Sequence, residues 1–120
     1  GDHRDLHSFP TRLSSDLRGK VNIFHNATQA VNNTDVVMTD KWISLHESNK
    51  SQKLKELKKF QVNSKLMSLA KKNAIFLHCL PASIDKEVTK EVLYGKQSRV
   101  YSQAKNRISS VKSVIEYCLK

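Results

Sequence analysis

Short apolar runs separated by longer amphipathic stretches set the rhythm of this chain from residue 18 onward. The run at 21–24 predicts a first strand. Asn26 or Thr28 then caps a short helix that runs through Ala30 and Val31 and ends at Asn32-Asn33. Val36, Val37, Met38 and Thr39 predict a second, buried strand ending at Asp40. Residues 41–49 have no clean period and read as a loop carrying Trp42 and Ser44. From Ser51 to Phe60 the pattern is helical, with Leu54, Leu57 and Phe60 on one side and lysines on the other. A second helix follows, capped by Asn63 or Ser64, with Leu66, Met67 and Ala70 facing inward.

The most apolar stretch, residues 74–80, predicts the central strand, buried on both faces. Ser83 or Asp85 opens the next helix, in which Ile84, Val88 and Val92 recur every four residues before Tyr94-Gly95 ends it. A last short strand is predicted at 98–101. The final helix, from about residue 104 to 119, carries Ala104, Ile108, Val111, Ile115 and Cys118 as one stripe. Strand alternating with helix argues for an α/β fold with a parallel sheet and right-handed crossovers.

Candidate chemistry gathers where predicted strands end. After Ala74-Ile75-Phe76-Leu77 the chain changes within one residue to His78-Cys79-Leu80-Pro81. In parallel α/β sheets ligands collect at the carboxyl ends of strands, so an imidazole and a thiol there face a crevice. The plainer alternative makes them ordinary strand-end residues. Asp40 with Ser44, His78 with Cys79, and Arg107 beyond Val100 all fall at this edge. Together they offer an acceptor for an ammonium, a thiol, and a guanidinium able to hold a carbonyl or phosphate oxygen. Singly, each has a structural explanation: a turn cap, a loop hydroxyl, a surface helix residue.

Composition narrows the classes. The 120 residues allow one small domain, and the apolar fraction is 38%. Twenty-one Lys and Arg against 11 Asp and Glu give a formal charge of +10, a balance that suits nucleic acid or an anionic membrane. The basic residues are mostly lysines scattered over polar helix faces with few aromatics between them, so neither partner is expected and a solvated face is the reading. Cys79 and Cys118 lack framework spacing and are expected as free thiols in a reducing compartment. No apolar run reaches the roughly 20 residues of a membrane span, and no signal peptide is visible. With 3 glycines and no Gly-rich loop after a strand, a dinucleotide fingerprint is excluded. No metal site and no organic cofactor is expected. Residues 1–17 show no periodicity. Residues 7–17 resemble a common sequencing adapter translated in one frame, Leu13 being the single departure. Residues 1–17 are set aside as non-native, with a disordered amino terminus as the alternative.

His78-Cys79-Leu80-Pro81 after an apolar strand resembles the signature of the ornithine carbamoyltransferases. The segment from Val36 through Thr39-Asp40-Lys41-Trp42-Ile43-Ser44 resembles that family's Asp-Val-Val-x-Thr-Asp-x-Trp-x-Ser-Met-Gly. Phe60-Gln61-Val62-Asn63 with Leu66-Met67 resembles its Tyr-Gln-Val-Asn helix start, and Asn106-Arg107 its late Glu-Asn-Arg. The markers stand in the family's order from about residue 20 to the end. The resemblance implies an incomplete Rossmann-like parallel sheet flanked by helices, three layers α/β/α, forming part of an ornithine-binding domain over residues 18–120. It implies carbamoyl transfer from carbamoyl phosphate to the δ-amine of ornithine, giving citrulline and phosphate, in a cytoplasmic homotrimer that shares active sites between subunits. Asp40, Ser44 and Leu45 are then the ornithine contacts. Cys79 and Leu80 line the junction of the two substrates, and Arg107 contacts carbamoyl phosphate. The Leu80-Pro81 peptide is expected to be cis.

The sequence also departs from that pattern. Ser-Met-Gly is Ser44-Leu45-His46 here, and Lys105 replaces the Glu before Asn-Arg. Ala82-Ser83-Ile84 after Pro81 lacks the basic residue often found there. Putrescine carbamoyltransferase is therefore the close alternative, and a free-standing basic binding module the alternative of a different class. The family's Ser-Thr-Arg-Thr-Arg motif and its carbamoyl-phosphate domain are absent from these residues. The chain is accordingly expected to be a carboxyl-terminal portion, inactive by itself.

Overall fold

Two parallel strands frame the molecule, β1 (Val36–Thr39) and β2 (Ile75–His78), with Val36 opposite Ile75 and Thr39 opposite His78. The computed structural model describes residues 20–43 and 50–120. Both strands lie where the apolar runs placed them. The predicted strand at 98–101 shrinks to a single rung. Phe76 donates its N–H to the Gln97 carbonyl at 2.8 Å and accepts from the Arg99 N–H at 2.9 Å. At Val100 the backbone is already helical. Its buried side chain anchors the first helical turn, and that anchor outweighs the β preference of the Val-Tyr pair.

The run at 21–24 forms no strand. Val21, Ile23 and Phe24 are exposed, and no described strand pairs with them, so their ladder groups have no partner to favour the extended form. Of the two cap candidates at each of two helices, the asparagine takes the role. Asn26 closes helix α1 (Ala27–Val31) by accepting the Thr28 N–H at 2.9 Å. Asn32 closes that helix, and Asn33 after it has a φ of 59°, a conformation asparagine tolerates. Helix α2 (Lys50–Leu57) tightens into a 3-10 turn over Lys58–Phe60, with Leu54, Leu57 and Phe60 half-buried. Asn63 caps α3 (Ser64–Met67), its side chain accepting the Leu66 N–H at 2.9 Å.

The helix expected from Ser83 or Asp85 starts later. Residues 84–88 instead form a tight turn in which the Asp85 N–H donates to the Val88 carbonyl at 2.8 Å. Val62 is the cause. It donates to the Glu87 carbonyl and accepts from the Thr89 N–H, at 2.9 and 3.0 Å, holding this backbone extended. Only α4 (Lys90–Leu93) remains helical, with Thr89 in the capping position. Val88 and Val92 are buried, while Ile84 is exposed.

Val37 and Phe76 point to one face of the sheet and meet Val31, Leu66, Met67 and Val92 from α1, α3 and α4. Phe76, with no exposed surface, is the centre of this core. On the other face Val36 and Met38 are exposed and Ile75 and Leu77 half-buried, so β2 is not sealed on both sides as its apolar run suggested. Helix α5 (Val100–Cys118) passes over that second face. Its stripe is open rather than packed: Ile108, Val111 and Ile115 are 67%, 51% and 53% exposed, and Ala104 and Cys118 are exposed as well.

Candidate active site

Register builds the site. Thr39 and His78 are partners across the two strands. The next residue on each, Asp40 and Cys79, therefore emerges side by side at the carboxyl edge. The Cys79 thiol donates to Asp40 Oδ1 at 2.8 Å, and the Lys41 N–H reaches the same oxygen at 2.6 Å. Both bonds fall on Oδ1; among the described residues Oδ2 takes none.

The electrostatics follow from this contact. The bond from the Cys79 thiol, and then the Lys41 N–H, hold the Asp40 carboxyl below its ordinary value. The same bond raises Cys79, helped by partial burial and by the Asp40 charge, while the positive charge of Arg107 pulls it back down. A thiol so placed is protonated at neutral pH and is not an activated nucleophile. Both cysteines are free and exposed.

Arg107 is exposed on α5 and lines an open groove of about 580 Å³ between that helix and Ile75 and Leu77 of β2. Leu80 follows Cys79 half-buried, with φ at 56° and a cis peptide bond to Pro81, as the motif implied. Asp40, Cys79, Leu80 and Arg107 thus collect at one edge of the sheet. Ser44 and Leu45 lie outside the described residues.

His78 does not face the crevice with Cys79. It is 1% exposed and shares the inner face with Phe76, as strict alternation along β2 requires. Its N–H donates to Gln103 Oε1 at 3.0 Å, and its Nδ1 accepts the Leu80 N–H at 2.9 Å. Beside it stands Glu87, fully buried, its Oε1 accepting the Ser83 N–H. Neither Gln103 nor Glu87 was marked by sequence reasoning. Glu87 sits among apolar positions of the 84–92 pattern, which was the available signal of a buried carboxylate. Among the described residues no three His, Cys, Asp or Glu side chains come together to hold a metal ion.

A sequence model of the family described as aspartate/ornithine carbamoyltransferase, Asp/Orn binding domain, matches residues 8–118. The chain belongs to this family. The ornithine carbamoyltransferase of Caulobacter vibrioides is 41% identical over 116 residues, covering 97% of this chain and 37% of that protein. The Methanococcus vannielii ornithine carbamoyltransferase is 46% identical over 106 residues, covering 85% and 34% of the two. Among solved structures, the anabolic ornithine carbamoyltransferase of Campylobacter jejuni superposes with a TM-score of 0.80 at 34% identity, covering 89% of this chain and 36% of that one. The Pyrococcus furiosus enzyme gives 0.78 at 34% identity, covering 87% and 34%. This member of the family spans about a third of the length of the curated relatives it matches. The α/β assignment and the partial parallel sheet agree with these carbamoyltransferase structures.

Proposed function

We propose that this chain supplies the ornithine side of a carbamoyltransferase, and that the complete enzyme transfers a carbamoyl group from carbamoyl phosphate to the δ-amine of ornithine. The observation that carries the reading is the meeting of the Asp40 carboxylate and the Cys79 thiol, 2.8 Å apart, at the carboxyl edge of two parallel strands. Asp40 Oδ2 takes the α-ammonium of the substrate, with Ser44 and Leu45 completing the ornithine contacts. Cys79 and Leu80 line the place where the two substrates meet. Arg107 holds an oxygen of carbamoyl phosphate through charge-assisted hydrogen bonds. The δ-amine, once deprotonated, attacks the carbonyl carbon as the C–O bond to phosphate breaks. Oriented donors stabilise the charge that develops on the carbonyl oxygen, and phosphate departs with the bonding pair and takes up the proton that the attacking nitrogen sheds.

Within this proposal residues 18–120 are part of an ornithine-binding domain, the assembly is a cytoplasmic homotrimer, and the chain alone does not turn over. Among the described residues no helix is long and apolar enough to cross a membrane. A second reading, with putrescine as acceptor, draws support from Leu45-His46 in place of Met-Gly. A hybrid in which residues 20–120 replace the matching segment of the Caulobacter vibrioides relative separates the two. The expected result is citrulline formation that Asp40→Ala cuts by at least 100-fold, about 2.7 kcal/mol of transition-state binding. A hybrid that prefers putrescine would remove ornithine and leave the carbamoyl transfer standing.

A further inference from the structure

We propose that His78 and Glu87 are a pair of positioning residues that brace the segment from Cys79 to Ser83 and thereby seat the Cys79 thiol against Asp40. The consequence for catalysis rests on the carbamoyltransferase reading; the bracing itself does not.

Both side chains are among the most buried in the molecule, His78 at 1% exposure and Glu87 at 0%. Burial of polar groups is unfavourable unless they are bonded, and this pair is incompletely bonded. His78 Nε2 stands 3.5 Å from Glu87 Oε1, too far for a good hydrogen bond, and among the described residues neither Nε2 nor Glu87 Oε2 has another partner. Leucine and methionine would fill similar volumes without orphaned atoms. What the polar pair adds is at its other atoms. His78 Nδ1 accepts the Leu80 N–H at 2.9 Å, and Glu87 Oε1 accepts the Ser83 N–H. The loop is therefore gripped near both ends by buried side chains, one from the strand before it and one from the turn after it.

The grip at Leu80 has a strained backbone to hold. Its φ of 56° lies in the left-handed region that a leucine avoids. The bond to Nδ1 ends on the N–H of that same residue. Since Nδ1 accepts, a neutral His78 carries its proton on Nε2, directed toward the Glu87 carboxylate. Gln103 on α5 holds the His78 backbone N–H at 3.0 Å, so the strand end itself is fixed. With both ends held, the backbone that carries Cys79 is fixed, and its sulfur lies 2.8 Å from Asp40 Oδ1.

The test needs neither ornithine nor carbamoyl phosphate, so it fails or succeeds independently of the proposed reaction. In the full 120-residue chain, alkylation of Cys79 by iodoacetamide is followed against pH, with exposed Cys118 as internal reference. The charged groups acting on Cys79 are Asp40, which raises its pKa, and Arg107, which lowers it. His78→Leu should release the thiol from Asp40, move the alkylation midpoint down, and raise the Cys79 rate at pH 8 roughly three- to tenfold relative to Cys118. His78→Asn, whose amide oxygen can stand in for Nδ1, should restore most of the wild-type profile. Glu87→Met should move the midpoint the same way by a smaller amount. A folded His78→Leu chain with an unchanged profile overturns the proposal. Should the variants unfold, nitrogen NMR of the unmodified chain decides alone. An unprotonated Nδ1 with slowly exchanging Leu80 and Ser83 amides sustains the bracing, and a protonated Nδ1 at pH 7 ends it.

Discussion

Gly95→Ala probes how tightly the second half of the chain is tied to β2. A Cβ built on Gly95 would lie 2.5 Å from the Glu91 carbonyl oxygen and 3.5 Å from that of Val92. The first distance is far inside the roughly 3.5 Å at which nonbonded heavy atoms come to rest. The obstructing atom is backbone, so no rotamer change relieves it. Relief requires either opening the end of α4, a helix of only four residues, or moving Gly95 itself. The first option disturbs Val92 and Leu93 in the core. The second stretches the bond from the Ser98 N–H to the Gly95 carbonyl, 3.0 Å, and with it the rung that Gln97 and Arg99 make on Phe76. Overpacking of this kind costs about 1–3 kcal/mol. Alanine returns about 0.4–1 kcal/mol by restricting the unfolded chain. The net is a destabilisation of about 1–2 kcal/mol. With a urea dependence of about 1–3 kcal/mol per molar, the unfolding midpoint should fall by about 0.3–2 M, read from far-ultraviolet circular dichroism. The Phe76 and Arg99 amides should also exchange faster with solvent. An alanine variant that unfolds at the same or higher urea would show that the 94–98 turn yields freely, and the coupling argued here would be wrong.

Asn63→Ala removes the side chain that caps α3 and should cost about 1 kcal/mol, measured by the same titration. Asp40→Asn should flatten a pH dependence whose sign follows from the two shifts. The lowered Asp40 contributes stability above the ordinary carboxyl value that is lost as pH falls through its lowered one, and the raised Cys79 contributes stability below the ordinary thiol value that is lost as pH rises through its raised one. Thermal midpoints of the unmodified chain should therefore form a plateau between about pH 4 and about pH 8.5, and equal curves for both proteins would deny the contact.

What the sequence disclosed and what it withheld divide along physical lines. Val36–Thr39 and Ile75–His78 were legible as strands because an apolar run bounded by polar residues has few other uses. The caps were legible to within a pair of residues each, Asn26 or Thr28 and Asn63 or Ser64, because a capping side chain acts within three residues; the asparagines hold the bonds. The four-residue spacing of Ile84, Val88 and Val92 misled, because Val62, more than twenty residues earlier, claims the backbone of Glu87 and Thr89. No local pattern encodes that pairing. The apolar run at 21–24 misled in the opposite sense: with no strand beside it among the described residues, strand propensity leaves an exposed, irregular segment. Arg107 lines the groove beside β2, and the apolar stripe of the same helix, legible from its spacing, is open.

The site illustrates why parallel register carries chemical information that neither strand holds by itself. Asp40 and Cys79 are 39 positions apart in sequence and touch because each stands one residue past a paired strand end. Slipping β2 by one residue would place Cys79 opposite Thr39 and reverse the facing of every β2 side chain. Phe76 would leave the core, and His78 would turn outward, away from Glu87. The apolar demand of Phe76 for the inner face thus fixes where the thiol emerges. The same alternation commits His78 to the interior, where its Nδ1 can reach back to Leu80. Core packing and the geometry of the reactive edge are one constraint, transmitted through the period of two along β2.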